Sequence, residues 1–125
     1  MVLDRRGILL GMAASLTASA ARAQPDGLGR EWFVHEEMPD GRFWEGVWHR
    51  RGRSNRFDAE WRDSLSGGMV YDVIEVVSFD GERIRLYRRG NHGTYFGEVS
   101  ESGRHLRGST SWYPRGGFWT ARIRD

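Results

Sequence analysis

The chain has 125 residues and a formal charge of +2, and all nineteen of its basic side chains are arginine. Three arginines (Arg5, Arg6, Arg22) and one acid (Asp4) precede residue 24, so the remainder carries 16 residues of each sign. That balance argues against nucleic acid or an anionic membrane as partner, since both need a positive excess. With no cysteine and no lysine, disulfides, thiolate nucleophiles, cysteine-ligated zinc and Schiff-base chemistry are excluded.

Residues 1–23 open with a short charged stretch, continue through Ile8-Leu9-Leu10-Gly11-Met12-Ala13-Ala14 and end in Ala21-Arg22-Ala23. This is the layout of a cleavable export signal with small-x-small before Gln24. The apolar run is too short for a permanent membrane anchor. Asp4-Arg5-Arg6-Gly7-Ile8-Leu9-Leu10 resembles the twin-arginine signal of bacteria, which implies a periplasmic or secreted protein. Residues 24–40 read as a linker or N-terminal segment, with one candidate helical turn over 30–38. Residues 41–125 read as one domain, of a size that supports a single core.

From residue 43 onward, alternating runs are separated by glycine-containing turns. The runs cover about 43–49, 55–62, 69–78, 82–89, 94–101, 104–113 and 118–124, which predicts an all-β, small antiparallel up-and-down meander barrel of seven or eight strands. Loop lengths set the expected register. A three-residue loop at Phe79-Asp80-Gly81, with Gly81 left-handed, places Val76 against Ile84, Ile74 against Leu86 and Asp72 against Arg88. The following turns place Arg88 against Tyr95, Leu86 against Gly97, Val99 against Leu106, Gly97 against Gly108 and Tyr95 against Thr110. The last loop sets Trp112 against Trp119 and Gly108 against Ile123. The first hairpin sets Trp48 against Phe57 and Trp44 against Trp61.

Stacking these pairs predicts layers. An aliphatic floor (Val76, Ile84, Val99, Leu106) leads through Trp48, Phe57, Ile74, Leu86 and Ile123 to a polar ring of Asp72, Arg88, Tyr95 and Thr110. Small residues Gly46, Ala59 and Ala121 lie beside that ring, and Trp44, Trp61, Trp112 and Trp119 form an aromatic mouth. Two readings follow. In one, the polar ring orients a small apolar or aromatic ligand stacked on the tryptophans. In the other, Asp72 and Arg88 neutralise each other as a structural network in a barrel filled by its own side chains. Gly97 and Gly108 either admit a ligand, make room for the Trp48 indole, or permit a bend.

Gly46-Val47-Trp48 on the first strand of such a meander resembles the calycin group, the lipocalins and avidins. Trp48 followed by a turn containing Ser54-Asn55 is similar to the avidin opening. The resemblance implies an exported ligand-binding barrel in which a last-strand arginine, Arg122 or Arg124, covers the indole.

Catalysis is not expected. His35, His49, His92 and His105 fall on loops or the outer phase, no zinc-binding histidine motif occurs, and a carboxylate paired to arginine, as Asp72 would be, is a poor base near neutrality. No catalytic residue, metal ligand or cofactor is therefore assigned. A third class is an envelope interaction or inhibitor protein. The expected register aligns Val73, Tyr87 and Phe96 into an outer apolar stripe that suits a homo-oligomer. Alternatively Trp32-Phe33-Val34 covers that stripe, or forms an eighth strand that closes the barrel.

Overall fold

The computed structural model describes residues 26–125, so the export signal expected at residues 1–23 lies outside the described residues. It contains eight strands and, among the described residues, no helix: β1 (Glu31–Glu37), β2 (Phe43–Arg50), β3 (Arg56–Asp63), β4 (Met69–Phe79), β5 (Arg83–Arg88), β6 (Gly93–Val99), β7 (His105–Thr110) and β8 (Phe118–Arg124). Each strand pairs antiparallel with the next, and β1 pairs with β8, which closes an up-and-down barrel.

β1 forms within the stretch 24–40, and closure of the barrel is the outcome realised for Trp32-Phe33-Val34. Its alternation decides this. Trp32, Val34 and Glu36 are buried while the intervening residues stay partly exposed, the period-two pattern of a strand rather than of a helical turn. Seated between β2 and β8, it leaves no open edge.

The pairs Val99–Leu106, Gly97–Gly108 and Tyr95–Thr110 occur as the sequence predicts. Elsewhere the loops differ in length and the partners shift. Trp48 meets Ala59 rather than Phe57, and Trp44 meets Asp63 rather than Trp61. Leu86 meets Val76 and Tyr95 rather than Ile74 and Gly97. Gly108 meets Trp119 rather than Ile123. Each shift is an even number of residues, so inside and outside are preserved. The exception is local: a bulge between Val76 and Ser78 reverses the phase at the end of β4. Phe79 then packs on the core in place of Ser78 and pairs with Ile84, and Gly81 adopts φ 92° in the turn.

The shifts also break the outer stripe. Arg89 donates its N–H to the Val73 carbonyl, Tyr87 pairs with Glu75 and Thr94, and Phe96 pairs with Arg85, whose guanidinium lies over its ring. Val73, Tyr87 and Phe96 therefore no longer align, and each has polar or charged cross-strand neighbours instead.

Indoles fill the interior. Trp48 stacks between Trp32 (centroids 5.5 Å apart, 19°) and Trp119 (6.3 Å, 15°), with Trp61 and Tyr95 against it edge-on at 5.8 and 5.3 Å. Phe57, Ile74, Leu86 and Leu106 are fully or almost fully buried with them. Trp119 thus lies in the core and not at the mouth, because Gly108 pairs with it and Gly97 leaves room for its ring: a Cβ on Gly97 would stand 2.8 Å from that indole. The space at Gly97 accordingly serves Trp119, not Trp48. The Gly-x-Trp segment falls on β2, and neither candidate arginine covers Trp48. Arg122 lies over Phe33 at 4.7 Å on the outer face, and Arg124 approaches Glu31 at 3.5 Å.

Gly46 and Gly108 mark close approaches of neighbouring strands. A Cβ at either position would overlap a carbonyl oxygen of the neighbouring strand, Glu60 and Phe96 respectively. Backbone cannot yield as a flexible side chain does. Gly46→Ala and Gly108→Ala are each expected to cost about 1–3 kcal/mol or more; urea unfolding of the two variants against the unmodified protein checks this.

Candidate functional site

One end of the barrel is organised around a carboxylate. Glu36 takes the last inward position of β1, flanked by Trp44 on β2 and Trp119 on β8, and is 1% exposed. Three side chains donate to it: Trp61 Nε1 at 2.8 Å and Tyr95 OH at 2.5 Å to Oε2, and Tyr113 OH at 2.7 Å to Oε1. Burial raises the Glu36 pKa above its usual value. The three donors and the nearby Arg88 charge pull the other way without cancelling it. Burial, reinforced by the Glu36 charge, raises both tyrosines, so they remain donors.

Asp72 and Arg88 come together although their register differs from the expected one. Arg88 faces Ile74 and Gly93, and its side chain reaches diagonally to Asp72, Nε donating to Oδ2 at 2.8 Å. The Val73 and Gly90 amides donate to Asp72 Oδ1 at 2.8 and 2.9 Å, so this carboxylate accepts three hydrogen bonds from protein. Burial lowers the Arg88 pKa, but Asp72, Tyr95 and Glu36 outweigh it and leave it raised. The guanidinium carbon lies 4.7 Å from the Trp61 ring centroid and 5.6 Å from that of Trp112.

The loop between β7 and β8 supplies the lid. β7 ends at Thr110, earlier than its alternating pattern suggests, and Thr110 Oγ1 accepts the Tyr113 amide at 3.0 Å. Thr110 therefore shapes the loop and stands apart from the Asp72–Arg88 pair. Past it, Trp112 packs edge-on against Tyr95 at 4.9 Å over the space left by Gly93, where a Cβ would strike its ring. Tyr113 turns inward to Glu36 and stacks on Trp44 at 6.0 Å and 16°. On the rim, Arg42 lies over Trp44 at 4.9 Å and pairs with Asp63, whose pKa it lowers to about 2.

These walls enclose a cavity of about 290 Å³ lined by Glu36, Trp44, Trp61, Val70, Arg88, Asn91, Trp112 and Tyr113. Of the eight residues the sequence singles out, Trp44, Trp61, Trp112 and Arg88 line it; Asp72 and Tyr95 support it from behind, while Thr110 and Trp119 do not reach it. Glu36 and Tyr113 escaped the sequence reading. An acid in phase with Trp32 and Val34 was the available signal for Glu36, whereas Tyr113 lies on a loop whose path no periodicity encodes. A larger groove of about 680 Å³ lies between Phe79 at the end of β4 and Ser109 on β7, with Arg83, Arg85 and Arg107 along it. Among the described residues no group of histidines and acids is arranged to hold a metal ion.

Fold and site together define a closed eight-stranded antiparallel barrel with a filled core and a small aromatic cavity at one end. The chain matches no protein-family model and no curated protein. Solved structures of designed barrels share the fold. A redesigned β-barrel, mFAP1, bound to DFHBI, is 19% identical with a TM-score of 0.54, covering 84% of this chain and 100% of that one. A second redesigned barrel, b11L5F_LGL, is 18% identical with a TM-score of 0.54 over 83% and 96%. EF1p2_mFAP2b bound to DFHBI is 16% identical with a TM-score of 0.53 over 79% and 94%.

The buried carboxylate has a pH signature. Because its folded pKa is raised, protonation favours the folded state, so its contribution is fully present below the usual 4.5 and is lost as pH rises through the folded value. Asp63, with a lowered pKa, acts oppositely and in a lower window, losing its contribution as pH falls from 3.8 toward about 2. Glu36→Gln is expected to flatten the decline of stability above pH 4.5 and leave the acid limb in place. Urea denaturation of both proteins across that range checks the difference.

Proposed function

We propose that this protein is an exported binder of a small apolar or aromatic molecule, held in the cavity between Trp44, Trp61 and Trp112. One observation carries the reading: the barrel fills its floor and middle with indoles, yet keeps a space at the end where aromatic walls meet buried polar groups. Ligand sites combine apolar walls with a few fixed polar groups. A cavity of about 290 Å³ lies at the lower limit of that class, which restricts the occupant to one or two fused rings. Solved barrels of the same fold bound to DFHBI support the use of such an interior for a ligand. From the calycin resemblance this reading keeps the ligand-binding architecture. The N-terminal 23 residues supply the export part of the proposal.

Val70→Phe projects a ring into the cavity from β4, where Val70 is only partly buried, and so tests binding with little disturbance of the core. A panel of planar aromatic compounds followed by tryptophan fluorescence should give saturable quenching in the unmodified protein and at least tenfold weaker binding in the variant. Quenching in neither protein overturns the binder reading. For export, the envelope fraction should yield a chain beginning at Gln24, and replacing Arg5 and Arg6 by lysine should retain the precursor inside the cell; a mature form that keeps Met1 counts against it.

A further inference from the structure

The polar groups left unengaged on the cavity wall are donors. Tyr113 and Trp61 direct their hydrogens to Glu36, and Glu36 in turn accepts three hydrogen bonds. Arg88 differs. Its Nε is held by Asp72, but among the described residues neither Nη atom makes a hydrogen bond to protein, although the side chain is only 17% exposed and lines the cavity. The neighbouring Asn91 accepts the Gly93 amide on Oδ1 at 2.8 Å, which leaves its NH2 group unengaged at the same wall. A guanidinium presents its donors in the plane of the group. With Trp61 and Trp112 against it and Asp72 on the Nε side, the Nη edge is where a ligand atom can approach.

Charge decides what kind of acceptor fits. Asp72 neutralises Arg88, and Arg42 and Asp63 neutralise each other on the rim. Glu36 from β1 is the remaining acid on the wall and has no ion-pair partner. An anion docked on Arg88 would sit beside the buried Glu36 carboxylate, on the same cavity wall, and like-charge repulsion would oppose it. A neutral carbonyl meets the same donors without that repulsion. We infer that the cavity selects a planar aromatic molecule bearing a neutral carbonyl acceptor, its rings between Trp44, Trp61 and Trp112 and its oxygen on the Nη edge of Arg88 and the amide of Asn91.

The inference rests on the binder reading, and three probes of one ring system separate the two: naphthamide, naphthoate and methylnaphthalene, measured by equilibrium dialysis against the full mature chain. Naphthamide should bind about tenfold more tightly than methylnaphthalene, the difference expected of a hydrogen bond to a charged donor, and more tightly than naphthoate. In Arg88→Met combined with Asp72→Asn, which removes both charges together and keeps an acceptor for the Val73 and Gly90 amides, that preference should vanish while methylnaphthalene binding persists. The ranking in the unmodified protein stands as a test even should the double variant fail to fold. Equal affinity for naphthamide and methylnaphthalene overturns the role of Arg88, and preference for naphthoate overturns the neutral acceptor. Binding of none of the three removes the binder reading itself.

Discussion

A buried carboxylate at the junction between the indole core and the mouth ties the structure together. Glu36 is reached by donors from β3, β6 and the loop after β7, so a single side chain on β1 fixes elements from around the whole circumference. An acid in that position costs desolvation unless its lone pairs are filled. Three hydrogen bonds within 2.8 Å fill most of them. The same bonds anchor Tyr113 inward and thereby hold the lid loop over the cavity. Structural support and cavity wall are one network here: Asp72 and Arg88 pair with each other, and a space remains beside them.

The filled part of the barrel explains why that space is small. An eight-stranded barrel is just wide enough to be packed by its own side chains, and this one places four fully buried tryptophans inside. Trp48 occupies the centre, in contact with Trp32, Phe57, Trp61, Tyr95 and Trp119, and among the described residues its Nε1 is the buried side-chain polar atom without a partner. Such a donor is unfavourable by about 1–3 kcal/mol, and the ring contacts around it offset that cost. At the opposite end Arg50 closes the floor, its guanidinium shared between Asp26 and the carbonyls of Gly29, Arg53 and Ser54.

The fold was legible because strand alternation reports which side of a sheet a residue occupies without reporting its partner. Away from the bulge in β4 every displacement of the pairing was an even step, so Ile74, Leu86, Tyr95, Leu106 and Ile123 remained inside while their neighbours changed. Consequences that depend on the partner suffered. The outer alignment of Val73, Tyr87 and Phe96 dissolved, and Trp119 moved from mouth to core. At the bulge near Val77 even the phase failed locally, because one extra residue in a strand inverts the alternation beyond it.

By itself, the sequence determined an all-β meander, where its turns fall, its inner face and the meeting of Asp72 with Arg88, since these follow from periodicity and from the need of a buried charge for a partner. Only the tertiary structure decided that β1 closes the ring, that Glu36 gathers donors from distant strands, and that Trp112 and Tyr113 leave the sheet to roof a cavity. Those features arise from strand stagger and loop path, which depend on contacts between residues as far apart as Glu36 and Tyr113, and no local pattern along the chain records such contacts.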